Sequence, residues 1–192
     1  RERSIGLGAM GFHSYLQSHS IAFESMYASS FNNTAFGLLK KRAEEASLWL
    51  GIERGEAPDM VGSGRRNAHL LAIAPNASSS IICDVYTHKT LTGSYKVINR
   101  HLEKLLKSKN KNTKEVWKNI AAEQGSVQHL DFLSDEEKEI FKTAPEINQI
   151  WVIEHAHHRQ KYVCQSQSVN LFFAPPKATE PQEIHNEFLQ YV

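Results

Sequence analysis

The chemistry in this chain concentrates between His69 and Ile82. An apolar stretch, Leu70-Leu71-Ala72-Ile73-Ala74, stops at Pro75, and the small polar series Asn76, Ala77, Ser78, Ser79, Ser80 follows before a second apolar pair, Ile81-Ile82. That order reads as a buried strand entering a short loop that opens a helix. Such a loop presents unpaired backbone N–H groups at the positive end of the helix, with hydroxyls beside them and no bulky side chain to hold an anion away. The chemistry is phosphate binding. The same residues would also serve as an ordinary serine cap between a core strand and a helix.

Other reactive side chains are sparse. Two cysteines, Cys83 and Cys164, give no disulfide framework and fit a reducing cytosol. Cys83 follows the serine turn. Cys164 lies in a predicted strand beside Gln165 and Ser166, where a buried structural thiol is expected. Glu154 and His158 stand one helical turn apart, with His155 and His157 between them, a spacing that permits a shared metal-ligand face. No partner motif accompanies them, so a charged helix surface is expected and no metal site is assigned. No Gly-x-Ser-x-Gly elbow occurs among the serines.

The elements that must position the serine turn follow from hydrophobic periodicity and caps. Residues 4–19 read as a glycine-rich helix, apolar through Ile5, Met10, Phe12, Tyr15 and Leu16, with Gly6, Gly8 and Gly11 admitting a close neighbour. Ser20 is a candidate cap for a longer helix carrying Phe23, Met26, Tyr27, Phe31, Ala35, Leu38 and Leu39. Asn32-Asn33-Thr34 is a possible interruption, and Gly51 is the expected stop. Residues 55–66 form a charged, glycine-rich loop. A helix is predicted over 95–106. The basic run at 104–114 reads as a solvated surface loop. Thr113 caps a short helix ending at Gly125, and Ser134-Asp135-Glu136-Glu137 is a capping box. Residues 147–158 form an amphipathic helix, 162–173 a second strand, and Thr179-Glu180-Pro181-Gln182 opens a terminal helix. Helices alternating with strands make the fold class α/β and helix-rich.

A chain of 192 residues with 41% apolar content suffices for one domain with a real core. Lys and Arg number 22 against 21 acidic residues, so overall charge argues for neither nucleic acid nor a membrane as partner. No apolar run is long enough to span a bilayer, and the opening Arg1-Glu2-Arg3 does not resemble a signal peptide.

Five blocks in order resemble the large, catalytic subunit of class I ribonucleotide reductase, closest to its bacterial and phage branch. They are Arg3-Ser4-Ile5-Gly6-Leu7-Gly8-Ala9-Met10-Gly11-Phe12, the Ala74–Ile82 turn, Tyr86-Thr87-His88-Lys89-Thr90-Leu91-Thr92-Gly93-Ser94, Gly125-Ser126-Val127-Gln128-His129-Leu130, and the segment from Arg159 to Phe173 that contains Cys164-Gln165-Ser166-Gln167-Ser168-Val169-Asn170. The resemblance implies part of the second half of a ten-stranded α/β barrel. Within it, 1–66 is a helical segment, 67–82 the strand and phosphate turn, 83–161 a helical insertion region, and 162–192 a strand and terminal helix. It implies that Asn76, Ala77, Ser78, Ser79 and Ser80 hold the diphosphate of a ribonucleoside diphosphate. Some relatives carry a glutamate where Ala77 stands.

By the same resemblance, the thiyl-radical cysteine and both redox cysteines belong upstream of Arg3, and the tyrosine pair of the radical path belongs downstream of Val192. No catalytic residue is therefore expected in this chain, and neither Cys83 nor Cys164 matches one. The family's reaction replaces a ribose 2′-OH by hydrogen through radical chemistry. The resemblance implies no cofactor bound by this segment, a radical supplied by a small partner subunit, ATP-linked allostery, oligomerisation, and a cytoplasmic setting (the host cytoplasm for a viral protein). One departure stands out: a Ser-Ile-Glu-Pro-like loop expected after the turn is missing, because Ile82 runs straight into Cys83-Asp84-Val85-Tyr86. Either the protein has lost this loop or these 192 residues omit it; a true loss would impair turnover and leaves a rival expectation, a non-catalytic nucleotide-binding or subunit-interaction module derived from the family. A generic phosphate-binding α/β domain would account for the turn but not for the other four blocks.

Overall fold

The computed structural model describes residues 1–75 and 98–172, and the backbone of 87–90 and 93–96. Six helices are described: α1 (Phe12–Ser18), α2 (Met26–Arg54), α3 (Arg100–Ser108), α4 (Lys114–Ala122), α5 (Asp135–Ile140) and α6 (Gln149–Gln160). Strands β1 (Thr87–Thr90) and β2 (Gly93–Lys96) pair antiparallel, with Thr87 opposite Lys96. The terminal helix expected from Thr179 lies outside the described residues.

Three extended segments run side by side in parallel and organise the helices. Leu7 pairs with Leu71, and Ile73 pairs with Gln167. Backbone hydrogen bonds flank the single bridge position of each seam. Leu7 N–H donates to the Leu70 carbonyl (2.8 Å) and Ala72 N–H to the Leu7 carbonyl (3.1 Å); Gln165 N–H donates to Leu71 (3.2 Å) and Ser168 N–H to Ile73 (2.9 Å). Segment 69–73 is therefore central. Its Leu70 and Leu71 are buried with Phe36 and Val163, beneath Leu39, Ala43 and Tyr162. Parallel strands covered by helices carry continuous apolar runs, which explains why 70–74 lacks alternation. Of the strands expected at 70–74 and 162–173, the described residues show extended backbone with single bridge positions at Leu71, Ile73 and Gln167, and no strand of greater length.

The expected helix over 4–19 is corrected. Only its second half is helical, because 2–7 is drawn into backbone pairing with 68–72. Gly11, at φ 76°, makes the turn from extended chain into α1. Glycine was rightly expected to admit a neighbour, although the neighbour meets a strand. A Cβ on Gly8 would stand 2.9 Å from the Ala72 carbonyl oxygen.

Helix α2 also departs from expectation. Its cap is Ser25, whose side chain accepts from Ala28 N–H, whereas Ser20 sits outside the helix at φ 56°. Asn32-Asn33-Thr34 does not interrupt it. Asn32 is buried and its amide donates to the His155 carbonyl (2.8 Å), so tertiary contact overrides a weak local preference. The helix passes Gly51 and ends at Arg54. Gly51 is there for packing, since a Cβ would run into the Gly64 carbonyl.

A second core gathers Leu102, Leu106, Ile120, Val127, Leu130, Leu133, Ile140 and Phe141 from α3, α4, α5 and the loops between them. Here the caps behave as read. Thr113 accepts from Val116 N–H, and Ser134 and Glu137 form the complete capping box. The helix expected from Tyr95 begins at Arg100, because Tyr95 belongs to β2 and Asn99 supplies the cap. Lys109 of the basic run reaches Glu137 (2.9 Å), and Lys107 reaches Glu103 (2.7 Å).

Gly51→Ala tests the packing account. In an open helix the change stabilises by up to ~1 kcal/mol. Here the methyl group meets backbone, and a loss of about 1–3 kcal/mol is expected in urea unfolding. An increase in stability would remove the proposed reason for glycine at this position.

Candidate functional site

The predicted phosphate residues Asn76, Ala77, Ser78, Ser79 and Ser80 lie outside the described residues, as does Cys83. What is described is the platform leading to them. Segment 69–73 ends at exposed Ala74 and Pro75, immediately before Asn76. Because all three extended segments run in the same direction, Gly8, Ala9 and Met10 follow one neighbour at that end, and Val169 and Asn170 follow the other. All of these residues are exposed. In α/β folds the carboxyl ends of parallel strands are where ligands bind, because the loops there are free of the sheet.

Polar side chains hold this platform in register. Gln165 Nε2 donates to the Ile5 carbonyl (2.7 Å), reaching past the central segment to its other neighbour. Arg159 Nε donates to Gln167 Oε1 (2.6 Å), and Gln167 Nε2 donates to the Ala156 carbonyl (2.9 Å), which tethers the third segment to α6. At the opposite end, Asn67 Nδ2 donates to the Arg3 carbonyl (2.7 Å), while Ser47 of α2 bonds both the Asn67 side chain and its N–H. The positioning roles of Gln165, Gln167 and Asn67 were not foreseen from sequence. Their signal was faint: amide side chains beside predicted strands, where backbone carbonyls need partners.

Cys164 corrects a second expectation. It is an exposed free cysteine, not a buried thiol. Its sulfur nonetheless accepts from Leu70 N–H (3.0 Å) and Leu71 N–H (3.3 Å), so it belongs to the seam between segments.

The Glu154–His158 group also divides. Glu154 and His157 are exposed, as a charged helix face requires. His155, in contrast, is only 1% exposed. It sits against Phe23 (centroids 4.8 Å apart), Phe12 (5.5 Å) and Trp151 (5.9 Å), with Nε2 at 3.0 Å from the Phe23 carbonyl. The contact to a carbonyl makes Nε2 the donor in the neutral ring. His158 Nδ1 meets Ser29 Oγ at 2.9 Å. Among the described residues no group of three His, Cys, Asp or Glu side chains comes together to hold a metal ion. A cleft of about 760 Å³ opens between α1, α3 and α5, lined by Gln17, His101, Lys104 and Glu136.

The family description "Ribonucleotide reductase, barrel domain" matches residues 1–64 and 57–190. The chain belongs to the ribonucleotide reductase barrel family. Among solved structures it is similar to the class Id ribonucleotide reductase alpha subunit of Actinobacillus ureae, with a TM-score of 0.84 and 42% identity over 99% of this chain and 36% of that one. It is 46% identical over 189 residues to the ribonucleoside-diphosphate reductase large subunit of Invertebrate iridescent virus 3, covering 91% of this chain and 30% of the relative. The corresponding subunit of Invertebrate iridescent virus 6 is 44% identical, covering 97% of this chain and 21% of the relative. The chain thus spans a third or less of the two viral subunits. The match to the large chain of Encephalitozoon cuniculi runs over 228 residues, longer than the 192 of the whole chain, so that relative carries stretches without a counterpart here.

Burial pushes the His155 imidazole below its ordinary pKa of 6.5, and the hydrogen bond to the Phe23 carbonyl only partly offsets this. The unfolded chain therefore takes up this proton at a higher pH than the folded one. The contribution is fully present above about 6.5 and is lost as the pH falls from there towards the depressed folded value. His155→Gln, which keeps a donor for the carbonyl, should flatten the fall in stability between pH 6.5 and 5 when urea midpoints are compared. An unchanged slope would mean that other groups carry the acid sensitivity.

Proposed function

We propose that this chain supplies the substrate-phosphate part of a ribonucleoside-diphosphate reductase large subunit. The observation that carries the reading is the central parallel segment, which brings the chain to Pro75 at the carboxyl end of the extended segments, immediately before the serine series in sequence. In this reading Asn76, Ala77, Ser78, Ser79 and Ser80 hold the substrate diphosphate through amides and hydroxyls. Neutral donors suit this task because they bind a phosphate without the cost of burying a lysine. The three parallel segments belong to the second half of a ten-stranded α/β barrel, whose remaining strands come from polypeptide beyond these 192 residues.

The chemistry divides accordingly. The cysteines that carry the radical and the reducing electrons, and the tyrosine pair, lie on the rest of the large subunit, and a small subunit generates the radical. This segment binds no cofactor of its own; ATP-linked allosteric control belongs to the assembled oligomer. The setting is cytoplasmic. No helix among the described residues is long and apolar enough to cross a membrane. The break after Ile82 favours one second reading, a family-derived module that binds nucleotide without turning it over.

Ser78→Asp and Ser79→Asp should each weaken diphosphate binding by roughly a hundredfold or more in the assembled enzyme, through repulsion between the new carboxylate and the phosphates. Substrate titration measures this, with circular dichroism confirming the fold. Unchanged affinity in both variants would leave the turn as a structural cap. The assembled enzyme should form deoxynucleotide and the chain alone should not; tight binding without turnover would select the non-catalytic reading. Cys83→Ser and Cys164→Ser should leave activity within a few-fold. A loss of about a thousandfold, or ~4 kcal/mol of barrier, in a folded variant would place a redox thiol here.

A further inference from the structure

Helix α2 carries its buried residues on one side and most of its large apolar side chains on the other. One side faces the extended segments and α6 through Ala28, Ser29, Asn32, Phe36, Ser47 and Gly51, several of them small or polar. The larger apolar side chains stand on the other side, in the open: Tyr27 is 79% exposed, Leu38 55%, Trp49 59% and Ile52 83%. Tyr27, Leu38 and Trp49 follow one another at intervals of eleven residues, close to three helical turns. They line up along one edge over roughly 30 Å, and Ile52 adds a turn beyond Trp49. The exposed Arg42–Glu45 pair, at 2.8 Å, lies in the gap between Leu38 and Trp49.

Scattered exposed apolar residues are ordinary, but an aligned row carrying a Tyr and a Trp is the make-up of an interface anchor. The relatives show how much polypeptide is available to cover it, since the chain spans 36% of the solved alpha subunit and 30% of the Invertebrate iridescent virus 3 subunit. We infer that the outer face of α2, anchored by Trp49 and Ile52, is the docking surface for the remaining polypeptide of the large subunit. The complementary surface is an apolar strip with polar groups placed to meet Arg42 and Glu45. The inference rests on the reading of the chain as a large-subunit segment and adds the face through which the rest is held.

The test mixes this chain with the remainder of the Invertebrate iridescent virus 3 large subunit, expressed without the region this chain matches. Association is followed by sedimentation and by acrylamide quenching of tryptophan fluorescence. The expected result is a one-to-one complex in which the emission moves to the blue and quenching falls, with both changes absent when Trp49 is replaced by Phe. Trp49→Glu with Ile52→Glu should weaken the complex by roughly thirtyfold or more, while Lys118→Glu on α4 leaves it unchanged. Both acidic changes are on the exposed face, and circular dichroism verifies folding.

A complex of unchanged affinity with the double variant, or with Trp49 still fully quenched, would overturn the docking surface. It would leave the large-subunit reading standing, because assembly and deoxynucleotide formation report on that reading separately. Absence of any complex between the unaltered chain and a remainder shown by circular dichroism and cooperative urea unfolding to be folded would count against both. Self-association of the chain alone, abolished by the double variant, would assign α2 to a second copy and overturn the proposed partner.

Discussion

The structure depends on three short backbone stretches being able to lie side by side in parallel. Parallel pairing needs long crossovers, and the crossovers here are α1 with α2 on one side and the region ending in α6 on the other. The central stretch, 69–73, has neighbours on both sides. Its backbone groups are spent on pairing and its side chains on the apolar core under Phe36 and Val163. The closeness of the first stretch to Ala72 explains why Gly6 and Gly8 stand opposite: a Cβ at either would press on that residue. With the backbone so committed, the direction in which the chain arrives at Pro75 is fixed.

Buried polar groups then set the spacing of the layers. Ser47 and Asn67 bond each other within the core, and Asn67 also holds Arg3. Asn32 ties α2 to the backbone of α6 at His155, and the His155 ring ties α6 to the Phe23 carbonyl. Each of these residues would cost stability if left unpaired in an apolar interior, so each admits few arrangements of its neighbours. Apolar contact alone would tolerate sliding between α2 and α6; the amide and imidazole contacts do not.

Local signals were read well from the chain, and non-local ones poorly. The Thr113 cap and the Ser134–Glu137 box are decided within four residues, and they stand as expected. The apolar run at 70–74 is distinctive because its successive residues Leu70 and Leu71, which point to opposite faces, are both buried. Residues 4–11 misled because apolar spacing around glycines imitates a helix, while the partner that makes them extended lies more than sixty positions away, at 68–72. His155 misled for the same reason. Its neighbours in sequence are charged, but its neighbours in space are Phe12, Phe23 and Trp151. Of the candidate site, the approach to the serine turn was legible and the amides that brace it were not, since Gln165 acts on a carbonyl at Ile5 from the far end of the chain.

The two cores also differ in how far along the chain they draw their residues. The core under α3, α4 and α5 is gathered from one continuous stretch between Leu102 and Phe141, whereas the core beneath 69–73 joins Phe36 to Val163. Contacts close in sequence form with little loss of chain entropy, and distant ones wait for large loops to close. During synthesis the α3–α5 unit can therefore be complete while the parallel ladder still lacks its third member. Until residues 165–168 emerge, the 69–73 stretch has one open edge, on which another chain could pair in their place. The order in which the two cores close is thus a matter of protection during folding as well as of architecture.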